Sequence, residues 1–146
     1  MLKDNLIMLR NIHGFSQEEV ADKIDISRQA YAKWEKGATI PDIEKCKRLA
    51  DLYGIAIDAL IKTETVDEKM TIPPAPTGKN IWGSVIMNER GQLVIPKAVR
   101  ERFALKGGER LIVLTDDQEG IALVPAEKFE EKMKTLMTYA SLKADQ

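Results

Sequence analysis

At 146 residues, with 44% hydrophobic and 31% charged side chains, the chain suits one ordinary domain or two small ones and is too apolar to be disordered throughout. Its 22 Lys and Arg against 23 Asp and Glu leave no surplus of positive charge, so any contact with nucleic acid must come from where charge is placed. A single cysteine, Cys46, excludes an internal disulfide, and a single histidine, His13, leaves too few ligands for a zinc site and no base-nucleophile pair for an enzyme.

The chain begins MLKDNLIMLRN, with charges where a signal peptide would have its apolar core, and no apolar run approaches the roughly 18 residues of a membrane helix. A cytoplasmic protein with no metal and no cofactor is expected. Residues 1–62 hold 10 basic and 10 acidic side chains and are helical in pattern, with stop signals at Gly14, Gly37 and Gly54. The periodicity predicts helices over roughly 3–12, 17–24, 28–36, 43–53 and 57–61. Ser16 with Glu19 three residues on forms a capping box, and Ser27 is a second N-cap candidate. The two short helices they open meet across Asp25-Ile26, a tight turn in which Asp25 tolerates left-handed geometry. His13 reads as a helix-end side chain rather than a catalytic one, and Cys46, among Ile43, Leu49 and Leu52, as a small core residue.

The segment SQEEVADKIDISRQAYAKWEKGATIPDIEKCKRLADLYGI resembles the helix-turn-helix of the phage-repressor (Cro/XRE) family. The landmarks are Ser16-Gln17, the small Ala21 at a helix crossing, Ser27, Trp34-Glu35 with Gly37 after them, and Pro41. The resemblance implies an all-α, five-helix, lambda-repressor-like domain that binds double-stranded DNA. Its third helix would be the recognition helix, with Arg28 and Gln29 reading base edges beside Ser27 at its start. Arg suits guanine and Gln suits adenine, each good pair discriminating by roughly 1–3 kcal/mol. Gln17 maps to a DNA-backbone contact, and Lys33 and Lys36 to phosphate. Tyr31 and Trp34 fall where the family packs helix 3 on the core, with the Tyr31 hydroxyl in reach of DNA. Arg10 and Glu35 match a structural ion pair between helices 1 and 3.

Residues 63–79, TETVDEKMTIPPAPTGK, are polar, hold Pro73, Pro74 and Pro76, and show no apolar period. They read as an extended linker, about 20–25 Å in root-mean-square span if flexible and about 50 Å in full polyproline extension.

Residues 80–126 change to short β-rich runs, IWGSVIM, QLVI, RLIVLT and GIALV. Gly91 in a first turn, Ile95-Pro96, Arg100, Gly107-Gly108-Glu109 and the turn DDQEG make this part similar to the AbrB/SpoVT/MazE family of swapped-hairpin domains. The resemblance implies a small, mainly β domain in which two chains interleave, so the expected partner is a second copy through residues 80–146, with tetramers open. About 45 residues are too few for a comfortable core, and pairing answers that deficit. Direct DNA contact is weaker here: Val85 stands on the first strand, Gln92 follows Gly91 and Glu101 sits beside Arg100, leaving Lys97, Arg100 and Arg102 as a secondary DNA-contacting set.

Residues 127–146 form a C-terminal helix with Phe129, Met133, Leu136 and Ala140 on one stripe, suited to packing on its own domain or a partner copy. Together the parts predict a homodimeric transcriptional regulator, a repressor in its commonest form, on a palindromic or repeated operator. The rival is an antitoxin that neutralises a toxin protein and uses DNA for autoregulation. The mixed charges of the tail, Glu127, Glu130, Glu131 and Asp145 against Lys128, Lys132, Lys134 and Lys143, favour packing over toxin wrapping.

Overall fold

The computed structural model describes residues 1–144, so Asp145 lies outside the described residues. The chain divides into two compact units, residues 1–86 and residues 87 onward.

The first unit opens with five helices, α1 (Leu2–Ile12), α2 (Gln17–Lys23), α3 (Arg28–Glu35), α4 (Ile43–Tyr53) and α5 (Ile57–Ile61). Each start has a local cause. The Ser16 hydroxyl accepts from the Glu19 amide at 3.1 Å while the Glu19 carboxylate accepts from the Ser16 amide at 2.7 Å. Ser27 accepts from the Ala30 amide at 3.2 Å, and Asp42, a cap the sequence pattern did not single out, accepts from Lys45 at 2.8 Å. Asp25 takes the left-handed turn between α2 and α3 with φ 58°, and Gly54 does the same after α4 with φ 64°. The apolar stripes close over Leu6, Leu9, Val20, Ile24, Leu49 and Leu60, all buried. Asn5 sits fully buried among them, and its Nδ2 donates to the carbonyls of Leu60 at 2.8 Å and Lys62 at 2.6 Å. Those carbonyls end α5 and have no helical partner, so one side chain of α1 anchors the last helix.

Residues 63–79 differ from the expected extended linker. They contain β1 (Glu64–Val66) and β2 (Met70–Ile72), an antiparallel pair with Thr65 opposite Thr71. The strap that follows returns to the helices: Pro74 is buried, and the Thr77 amide and hydroxyl both donate to the Gly54 carbonyl, at 2.9 and 3.1 Å. Composition points to a linker because the paired strands are three residues each and mix polar with apolar side chains, yet three fixed proline φ angles suit a strap laid on a surface.

The second unit contains α6 (Lys97–Arg102), β3 (Leu111–Asp116), β4 (Gly120–Pro125) and α7 (Ala126–Ala144). Strands β3 and β4 pair antiparallel from Leu111↔Pro125 to Asp116↔Gly120, and the Asp116 carboxylate accepts the amides of Gln118 and Glu119 in the turn. Of the four expected strands only these two form. In the other two, a turn closes where Asn88 Oδ1 accepts from the Arg90 and Gln92 amides, with Gly91 at φ 77°, but no ladder runs through residues 81–95. A strand needs a neighbour for its backbone and an apolar surface for its side chains. One copy supplies neither: Val94 is 73% exposed and Ile121 77%, and Ala126 alone is buried among the described residues of this unit. On α7 the expected stripe is half-buried at Phe129 and Met133 and exposed from Leu136 onward.

Candidate nucleic-acid interface

Helix α3 is fixed from behind. Tyr31 is fully buried and Trp34 is 8% exposed, their rings meeting edge to face with centroids 6.0 Å apart. Ala21 of α2 is 1% exposed, and the Ile26 amide donates to its carbonyl at 3.0 Å, which sets the tight turn between the two helices. With Tyr31, Trp34 and Glu35 facing inward, helical geometry turns Arg28, Gln29, Lys33 and Lys36 outward, and all four are exposed. Ser27 is exposed as well, its hydroxyl committed to capping α3. The helix thus offers a two-pronged donor and an amide at its start and two ammonium groups toward its end.

Tyr31, expected to bring its hydroxyl within reach of DNA, does not lie on the surface. Its side chain has no exposure, and its hydroxyl lies inside the domain near Tyr53 and Glu35 without a hydrogen-bond partner among the described residues. Burial, with Tyr53 and Glu35 adding to it, pushes the Tyr31 hydroxyl far above its ordinary range, so it stays neutral. The aromatic ring that packs the core carries its polar atom inward with it.

Arg10 and Glu35 form the hub behind the helix. Arg10 Nε donates to Glu35 Oε1 at 2.6 Å and Nη2 to Oε2 at 3.2 Å, while Nη1 donates to the Phe15 carbonyl at 3.1 Å. Gln17 joins this pair: its Nε2 donates to Glu35 Oε2 at 2.7 Å. Burial alone would push the Glu35 carboxyl up, but the hydrogen bonds from Arg10 and Gln17 outweigh it and hold the carboxyl below the usual range. The hydrogen bond to Glu35 likewise raises the Arg10 guanidinium against the opposing effect of burial. Gln17 keeps a second amide N–H and its own backbone N–H, which as the first of α2 has no helical acceptor. Sequence reasoning placed Gln17 at the backbone and Glu35 in the pair; it did not join the two, because hydrogen bonding across eighteen residues leaves no local signal.

In the second unit the basic residues are less available. Lys97 Nζ lies 3.6 Å from the Glu101 carboxylate, and Arg100 Nε donates to the Ile95 carbonyl at 3.1 Å, closing the turn ahead of α6. Arg102 is exposed. These three side chains belong to a different compact unit from Arg28 and Gln29.

Comparison with known proteins agrees with this division. Residues 6–60 match a family described as helix-turn-helix, and residues 86–131 one described as antidote-toxin recognition MazE, bacterial antitoxin. Over 62 residues the chain is 36% identical to an SPbeta prophage-derived uncharacterized HTH-type transcriptional regulator of Bacillus subtilis, covering 42% of this chain and 57% of that protein. Over 72 residues it is 36% identical to the cryptic phage CTXphi transcriptional repressor of Vibrio cholerae, covering 48% of this chain and 65% of the relative. A solved transcriptional regulator from Listeria innocua shares 31% identity over 45% of this chain and 63% of its own, with a TM-score of 0.42. The chain spans less than two thirds of each. The chain thus resembles helix-turn-helix proteins of the Cro/XRE type over residues 6–60 and the AbrB-like MazE family over residues 86–131.

Proposed function

We propose that the chain is a sequence-specific DNA-binding transcriptional regulator of the cytoplasm, a repressor, that acts as a homodimer on a palindromic or repeated operator. The observation that carries the reading is the outward row of Arg28, Gln29, Lys33 and Lys36 on a helix locked by buried Tyr31, Trp34 and Glu35. Arg28 and Gln29 read bases; Gln17, Lys33 and Lys36 hold phosphate and set the register.

Support for dimerisation through residues 80–146 comes from the apolar side chains that one copy leaves in water, among them Ile86, Val94, Val113 and Ile121. A unit with one buried residue among its described residues has no core of its own, and a second copy supplies both strand neighbours and apolar cover. The partner copy also places two reading heads on one DNA, which raises the effective concentration of the second head once the first has bound. The antitoxin reading is set aside: the curated relatives described above are named as regulators of transcription.

Selection of bound sequences from a random DNA pool by the full-length protein tests the reading. Recovery of a motif repeated in two half-sites is expected, and recovery of no enriched sequence would overturn it.

A further inference from the structure

Beneath the proline strap of the first unit lies a cavity of about 510 Å³, within the range of small-molecule sites. Its walls are the ends of α1 and α4 and the strap itself, with Leu9, Ile12, Tyr53, Ile55, Pro74 and Ile81 among the apolar lining. The strap keeps it open: Pro73, Pro74 and Pro76 have fixed φ angles, and Thr77 pins the strap to the Gly54 carbonyl, so the roof cannot collapse onto the floor without losing those bonds. Such a space gains by being filled with an apolar body, since water inside it would find few partners.

The polar groups of the lining are unequal in sign. Lys79, His13 and Asn80 reach the cavity, and no carboxylate does. The His13 Nδ1 is occupied by the Leu9 carbonyl at 2.9 Å, and the ring lies against Tyr53 with centroids 5.0 Å apart, which leaves Lys79 as the cationic residue of the lining. We propose that this cavity binds a small apolar carboxylate, its hydrocarbon body between α1, α4 and the strap and its carboxylate at Lys79. The inference stands on the first unit alone and does not depend on the DNA-binding reading.

Titration of the full-length protein with sodium decanoate and, separately, with 1-decanol, followed by methyl NMR of Leu and Ile, tests it. Saturable shifts at Leu9, Ile12 and Ile55 are expected with both probes. Lys79→Ala should weaken decanoate about fivefold, the size of a partly exposed ion pair, and leave decanol unchanged. Ile81→Ala, at a side chain 52% exposed and so outside the packed core, should weaken both. Shifts confined to residues beyond 87, the absence of saturable shifts, or an equal response of the two probes to Lys79→Ala would each overturn the assignment.

Discussion

Arg10 of α1 and Glu35 of α3 meet through two hydrogen bonds, with the Glu35 side chain 6% exposed and that of Arg10 18%. A pair this sheltered adds little net stability, because both charges have left water, but removing one partner strands the other. Glu35→Ala leaves Arg10 and the Gln17 amide without their acceptor. A loss of about 2 kcal/mol or more is expected, a fall of roughly 10 °C in the Tm of the first unit by calorimetry. An unchanged Tm would remove the pair from the account of how α3 is held.

The same carboxylate makes the unit sensitive to acid. The folded state holds the Glu35 carboxyl below its unfolded value, near 4.3, so folding releases a proton from this group and the stabilisation is complete above that value. It is lost as pH falls through the lower, folded value. Urea midpoints between pH 6 and 3 should therefore drop more steeply for the native protein than for Glu35→Gln, which carries no proton to lose. Parallel curves would contradict this.

In the proposed reading specific recognition rests on Arg28 and Gln29, which are exposed and lie outside the core. Replacing both with Ala should abolish preference for the selected operator over random DNA, a loss of roughly 2–6 kcal/mol of discrimination if both make good base pairs. Sedimentation should show the oligomeric state of the native protein, and calorimetry the same Tm. A variant that kept its preference would move base reading elsewhere.

The helical unit was largely legible because its signals are local. Capping at Ser16 and Ser27, the turn at Asp25 and the stop at Gly54 each involve residues within a few positions of one another, and the sequence reading places all of them where the structure has them. Long-range polar contacts were not legible: the Asn5 side chain meets Leu60 and Lys62, and Gln17 meets Glu35, with nothing in the intervening chain to announce either. The strap is hidden for a related reason, since proline-rich composition is shared by free linkers and by segments laid on a surface. Tyr31 shows a third limit, because helical position fixes which way the ring points but the pattern does not say how deep its hydroxyl lies.

Separation of reading from coupling gives a truncation with a defined outcome. A chain ended after residue 86 keeps all five helices, the β1–β2 pair and the bond from Thr77 to Gly54. It should fold with an unchanged Tm, sediment as a monomer, and bind a two-half-site operator at least tenfold more weakly than the full-length protein, since in the proposed dimer the second head arrives tethered. A dimeric fragment with full affinity would shift the pairing surface into the first unit.

Salt dependence distinguishes phosphate contacts from charges that only sit near DNA. Each phosphate neutralised adds about 0.9 to the slope of log affinity against log salt. Lys36 follows α3 directly and is exposed, so Lys36→Ala should lower the slope by about that amount. In the second unit, Lys97 lies beside Glu101 and Arg100 is bonded to the Ile95 carbonyl, which leaves Arg102 as the best-placed of the secondary set. If the second unit serves to couple two heads, Arg102→Ala and Arg100→Ala leave the slope unchanged and the dimer intact. A fall of about 0.9 for either variant would place the second unit on the DNA as well, with its basic residues acting beside those of α3.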